Sequence, residues 1–237
     1  MQRNTILGPI PPITLNLIII NAIIWLAQIV FNRLGIDLSQ YLGMHYFQAE
    51  NFGLWQLITY AFLHDDHSLW HLFFNMFSLF MFGRSIEMAW GGKRYLLFYG
   101  ICALTAAITQ QVVWSFSLLD LSQSGAQLVN IAGHIIPKKE FLNLFVTVGA
   151  SGAVFGLLLA FGMIFPNIPI YIWFIPIPVK AKYFVIFYGL IELFAGIAPQ
   201  NTGSNVAHFA HIGGMIGGLI LILLWRKQGK ISKHPFI

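Results

Sequence analysis

Runs without Asp, Glu, Lys or Arg extend over residues 4–32, 67–83, 95–119, 141–179 and 193–225. Several exceed the roughly 20 apolar residues a helix needs to cross a bilayer. The first predicts a span over about 13–32, ending at Asn32-Arg33. The second predicts one from near Ser68 to Arg84, and the third, after the short basic turn 87–94, returns antiparallel over about 95–114. The run 141–179 is too long and too rich in proline to be one helix, because Pro166, Pro169, Pro176 and Pro178 each remove a backbone donor. It is divided into a fourth span at about 146–165, with Ser151 near its start, and a proline-rich turn at 166–180. A fifth span over about 181–198 and a sixth over about 206–225 follow, joined by the polar turn 199–205.

Two long connections remain. Residues 34–66 carry Asp37, Glu50, Asp65 and Asp66, and their aromatics Tyr41, Tyr46, Phe47, Phe52 and Trp55 suggest a segment lying at headgroup level. Residues 115–140 read as a polar loop. Six spans return both termini to one side of the membrane. Of the 13 basic residues, all but Arg33, Lys138 and Lys139 fall on that side. Basic residues accumulate in cytoplasmic loops, so both termini are expected in the cytoplasm, with Ser151, His71 and His211 in the outward halves of their helices.

Composition makes the membrane assignment firmer. The chain is 57% hydrophobic and 9% charged, against about 25% charged in soluble proteins, and no water-soluble core could hide so much apolar surface. The expectation is an all-α polytopic membrane protein, a six-helix bundle in which the fourth helix is surrounded by the others. The spans nearly fill the 237 residues, leaving room for one membrane domain (core about 13–225) and no separate soluble domain. The N-terminus has no basic region followed by a small-residue cleavage site, so its apolar segment reads as a retained first helix. The formal charge of +5 belongs to cytoplasmic loops and does not call for nucleic acid. Cys102 stands alone within a span, so there is no intrachain disulfide and the redox compartment goes unreported.

The chemistry concentrates in two glycine-rich stretches. Gly149-Ala150-Ser151-Gly152, continuing to Gly156, presents a hydroxyl; His208-Phe209-Ala210-His211, continuing through Gly214 to Gly218, presents an imidazole. Small residues four apart let two membrane helices approach closely, so Gly149, Gly152, Gly156, Gly214 and Gly218 form a candidate packing surface. A serine and a histidine in contact are a nucleophile and its base. His71 and Asn75, four apart on one helical face, could donate hydrogen bonds to an oxyanion together with the Ser151 N–H. Taken singly, Gly-x-Ser-Gly is more often a packing face, while an intramembrane histidine is a functional hypothesis by default.

Taken together, His71-x-x-x-Asn75, Gly149-Ala150-Ser151-Gly152 and Ala210-His211-x-x-Gly214-x-x-x-Gly218, supported by residues 55–64 and the six-span plan, resemble the rhomboid family of intramembrane serine proteases over residues 13–225. The resemblance implies a serine–histidine dyad without a third acid, with Ser151 as nucleophile and His211 as general base. It implies that His71 and Asn75 assist the oxyanion hole, and that substrates are transmembrane proteins cut near the membrane surface. No cofactor and no metal are expected, and partners are such substrates and membrane lipid. A bacterial cytoplasmic (inner) membrane is the expected location, with the active site opening to the outer side.

His208 lies one turn before His211 but lacks the glycines at +3 and +7 that match the family's sixth helix. His64, Asp65, Asp66 and His67 are ligand types for a metal, but read better as a solvated loop. Glu192 is an ionisable group within the fifth span and is given no catalytic role. A proteolytically dead relative is disfavoured by the presence of both Ser151 and His211. A histidine-based metal or proton transporter through His64, His67, His71, His208 and His211 is disfavoured by the lack of repeats or paired broken helices.

Overall fold

The computed structural model describes residues 10–131, 133–172, 175–197 and 207–231. The polar turn 199–205, Arg3 and Lys233 lie outside them. In chain order the elements are α1 (Pro12–Arg33), α2 (Ser39–Leu42), β1 (Met44–His45), α3 (Gln56–Thr59), a 3-10 turn (Tyr60–Phe62) and α4 (Leu69–Ser78). A π-helical turn (Leu79–Gly83) leads into α5 (Arg84–Trp90), followed by α6 (Gly92–Ser117), α7 (Leu119–Gln123), β2 (Leu128–Ile131) and β3 (His134–Pro137). The remainder is α8 (Lys138–Asn143), β4 (Val146–Thr147), α9 (Ser151–Ile164), β5 (Pro169–Ile172), β6 (Ile175–Lys180), α10 (Ala181–Ile197) and α11 (His208–Lys227).

Helix falls in all six expected places, and this is an integral membrane protein. Among the described residues α1, α6 and α11 are long and apolar enough to cross a bilayer. The all-α expectation needs amending, because three two-stranded antiparallel ladders are present: β1 with β4, β2 with β3 and β5 with β6. The last two fall within stretches read as a polar loop and a proline-rich turn. Prolines that bar a helix are compatible with short edge strands, where a missing donor costs no ladder bond.

Two helix boundaries are also corrected. The fourth helix begins at Ser151, not near 146, because Val146 and Thr147 are extended against His45 and Met44 and Gly149 takes φ +131°. The second helical segment continues past Arg84 to Trp90, so Glu87 lies in a helix and not in a basic turn. Glu87 is 4% exposed, and its carboxylate accepts from the N–H groups of Ile13 (3.0 Å) and Thr14 (2.7 Å) and from the Thr14 hydroxyl (2.7 Å). The first N–H groups of a helix have no partner within it, and the N-terminus carries partial positive charge. Glu87 answers both for α1.

α1 itself is built inside out. Thr14, Asn21 and Gln28, seven apart, are buried, while Ile19, Ile23, Leu26 and Val30 are exposed. In lipid an apolar side chain gains nothing from burial against protein, so the polar stripe turns inward to find partners. Gln28 pairs twice with the backbone of His64, donating to its carbonyl and accepting from its N–H, both at 2.9 Å. The interfacial aromatics divide: Tyr46 is buried, whereas Tyr41, Phe47 and Trp55 are exposed.

α9 is the enclosed helix, with contacts from α4, α5, α6, α10 and α11 and only Ser151, Leu159 and Met163 not fully buried. Glycine makes this possible. A Cβ on Gly214 would run into the Gly152 carbonyl, one on Gly156 into Cys102 Sγ, and one on Gly218 would lie 2.9 Å from Phe98. The adjacent pair Gly213 and Gly217 does the same toward α6, where their missing side chains are replaced by Thr109 and Thr105. α11 is thus notched on two faces and lies closely against both α9 and α6.

Candidate active site

The extended stretch before α9 is held by the β1–β4 ladder and by the Gly149 N–H, which donates to the Tyr60 carbonyl at 2.9 Å. It delivers Ser151 to the first turn of α9. The Ser151 hydroxyl donates to His211 Nε2 at 2.7 Å. His211 comes from the first turn of α11, and its ring lies flat on Phe155, with centroids 4.2 Å apart and planes 8° apart. Phe155 is one turn after Ser151 on the same face, so one helix supplies both the hydroxyl and the platform for the imidazole that accepts from it.

The other nitrogen of His211 decides the protonation pattern. Glu192 Oε2 lies 2.8 Å from His211 Nδ1 and 2.7 Å from His208 Nδ1. An ionised carboxylate only accepts, so each Nδ1 carries its proton, and the His211 Nε2 lone pair is left facing the serine. Glu192, given no role from sequence, thus meets the ring nitrogen of His211 that does not face Ser151. Glu192, His208 and His211 also have ligand atoms within 4.8 Å of one another, a grouping of metal-ligand type.

On the opposite side of Ser151 stands His71. Its Nδ1 accepts from the Asp65 N–H at 3.1 Å, so its proton is on Nε2 and available for donation. Gly149 separates the two. A Cβ there would lie 3.2 Å from His71 Nε2 and 3.6 Å from Ser151 Oγ, so the missing side chain is the space between nucleophile and donor. Gly149 was expected among the helix-packing glycines; it precedes the helix, and its absent side chain serves this space instead. Asn75 is buried and donates through Nδ2 to the His71 carbonyl at 2.9 Å, which leaves one of its two amide hydrogens.

The reading of residues 64–67 as a solvated loop holds for His67 and not for His64, which is buried. His64 is 1% exposed, neither ring nitrogen has a hydrogen-bond partner, and burial lowers its pKa to about 3. Its ring lies 5.2 Å from that of His71. His67 is exposed and lies 3.6 Å from Asp66.

Residues 51–228 match the family model described as the Rhomboid domain. The chain belongs to the rhomboid family. It is 29% identical to the rhomboid protease AarA of Providencia stuartii over 226 residues, covering 89% of this chain and 71% of that one. Similarity extends to the mitochondrial Rhomboid protein 1 of Saccharomyces cerevisiae, 28% over 164 residues, and to RHOMBOID-like protein 1 of Arabidopsis thaliana, 28% over 232 residues. This chain covers 69% and 96% of its own length in those matches but spans only 40% and 43% of the two relatives.

Sequence reasoning about this rhomboid missed Phe155 and Glu192. Phe155 was open to discovery, since an aromatic four residues after a serine shares its helical face. Glu192 offered one signal, an acid inside an apolar span, and such residues are expensive enough to need named partners. Its partners, 16 and 19 residues ahead and on another helix, follow from packing alone.

Proposed function

We propose that this rhomboid is an intramembrane serine endopeptidase that hydrolyses peptide bonds in or near the transmembrane segments of other membrane proteins. The observation that carries the reading is the 2.7 Å hydrogen bond from Ser151 to the lone-pair nitrogen of a buried histidine. The general base must be within about 2.6–3.2 Å of the proton it takes, and here that condition is met before substrate arrives.

The steps follow from the groups present. Ser151 Oγ attacks the scissile carbonyl as its proton passes to His211 Nε2. The carbonyl oxygen gathers negative charge in the space left by Gly149, which His71 Nε2 borders, with the second Asn75 amide hydrogen and the Ser151 N–H at the start of α9 as the further donors in this scheme. His211 returns the proton to the departing amine. A water molecule then attacks the acyl-serine, with His211 again as base. No cofactor enters the scheme.

We further propose one membrane domain with six crossings, both termini cytoplasmic and the site opening to the outer side of a bacterial cytoplasmic membrane. The charge asymmetry supports the orientation. α9 has 14 residues, about 21 Å at 1.5 Å per residue, which is shorter than the ~30 Å hydrocarbon core. The extended lead-in therefore makes up part of the crossing and sets Ser151 below the surface, and water must reach it through a cavity. Substrates are transmembrane proteins, and lipid is the other partner.

The test is cleavage of a transmembrane substrate in proteoliposomes together with labelling by a fluorophosphonate. Ser151→Ala and His211→Ala should abolish cleavage, and Ser151→Ala should abolish labelling. His71→Ala or Asn75→Ala should lower turnover about 10²-fold or more with little change in substrate binding. Wild-type cleavage by Ser151→Ala would end the protease reading.

A further inference from the structure

We infer that Glu192 is the positioning carboxylate of the Ser151–His211 pair, making the machinery a Ser–His–Glu relay with His208 as a second clamp on the acid. This inference rests on the protease reading. The carboxylate touches neither substrate nor serine and acts only through His211.

Three observations converge. The first is direction. Oε2 meets His211 at Nδ1, 2.8 Å away, while Nε2 of the same ring meets Ser151 at 2.7 Å, so acid, base and nucleophile are in line through one imidazole. The second is burial. Glu192 is 7% exposed and His211 8%, and an acid held away from water inside an apolar helix is retained where its charge has a use. The third is the construction of α10. Gly189, Glu192 and Gly196 stand at i−3, i and i+4, on one helical face. A Cβ on Gly189 would lie 3.1 Å from Met215, and one on Gly196 would lie 3.0 Å from Phe209 and 3.3 Å from His208 Cβ, all on α11. The acid is thus flanked by two notches that let α10 approach α11 closely, which brings a short side chain onto His211.

The role follows from the proton count. Before reaction the Nδ1 proton is held toward Glu192, so Nε2 is unprotonated and able to accept from Ser151. After transfer the imidazole carries both protons and one positive charge, and the carboxylate steadies that charge without itself becoming protonated. His208 Nδ1, 2.7 Å from the same oxygen, fixes the carboxylate rotamer from the other side. Phe155, stacked on His211, prevents the ring from rotating away. A metal ion at the same three residues would need the Nδ1 lone pair, would move the His211 proton to Nε2, and would remove the base.

The test uses the full chain in proteoliposomes with the substrate assay and the fluorophosphonate. Glu192→Gln should lower kcat about 10²-fold with KM within about twofold, and should slow Ser151 labelling to the same degree. Glu192→Asp should recover much of both. Independently of any variant, nitrogen-15 NMR of labelled histidine in the wild-type protein should show His211 protonated at Nδ1 and not at Nε2. Wild-type kcat in Glu192→Gln with Ser151 still essential would overturn this inference and leave the protease reading intact. The opposite tautomer at His211, or stoichiometric zinc bound through its Nδ1, would also overturn it. Activity surviving Ser151→Ala would defeat the underlying reading.

Discussion

Replacing Gly149 by alanine isolates the space between nucleophile and oxyanion donor. The methyl group enters at 3.2 Å from His71 Nε2 and Cε1 and 3.6 Å from Ser151 Oγ, so it occupies the volume the developing oxyanion needs. Its backbone also stands at φ +131°, a conformation that side chains rarely adopt and that costs of order 1–3 kcal/mol. The strain falls on folding, because it is present with or without substrate. The steric effect falls on the transition state. Losing one oxyanion donor costs about 2.7–4 kcal/mol, or 10²–10³ in kcat, and a displaced His71 forfeits at least that much. Gly149→Ala should therefore reduce kcat at least 10²-fold with KM little changed and a modest fall in thermal midpoint. The Gly149 N–H bond to the Tyr60 carbonyl survives, so α9 should still start at Ser151. Cleavage kinetics in proteoliposomes and a thermal melt in detergent separate the two contributions. Wild-type kcat in a folded Gly149→Ala protein would refute the placement of the oxyanion.

Three further outcomes are expected. Gly214→Leu should abolish cleavage and lower the thermal midpoint, because any side chain there meets the Gly152 carbonyl and forces α11 from α9, breaking the Ser151–His211 contact; retained labelling by a fluorophosphonate would contradict this. Glu87→Ala should destabilise the fold by about 2–3 kcal/mol, since it strands buried donors at the start of α1 that now bond to a charged acceptor, and a melt unchanged from wild type would contradict it. Below pH 6.5 stability should fall. His64, with its folded pKa lowered by burial to about 3, stays neutral while the unfolded chain takes up a proton, so the loss begins near 6.5 and ends near 3, with a slope of at most about 1.4 kcal/mol per pH unit from this group. A His64→Phe protein with an unaltered acid slope would exclude that origin.

Much was legible in the sequence because it depends on local composition and period. Uncharged runs mark helices whatever their neighbours, since an unpaired charge in hydrocarbon is costly wherever the chain goes. Prolines at 166, 169, 176 and 178 end a helix locally, and glycines four apart announce a close approach without naming the partner. Ser151, His211, His71 and Asn75 could be singled out because each stands in a repeat of small or polar residues set in an apolar run. Tertiary structure alone decided which surfaces those patterns meet. That Gly213 and Gly217 seat Thr109 and Thr105 while Gly214 faces α9 and Gly218 meets Phe98 on α6, that Glu87 caps a helix through an N–H 74 residues earlier, and that Gly149 faces His71 and Ser151 and not a neighbouring helix all depend on how helices cross. Glu192 is the sharpest case. One-dimensional pattern records that an acid lies in a membrane helix, but only the packing of α10 on α11 brings it to the nitrogen of His211 opposite the serine, because a hydrogen bond is set by distances of a few tenths of an ångström that no sequence spacing encodes.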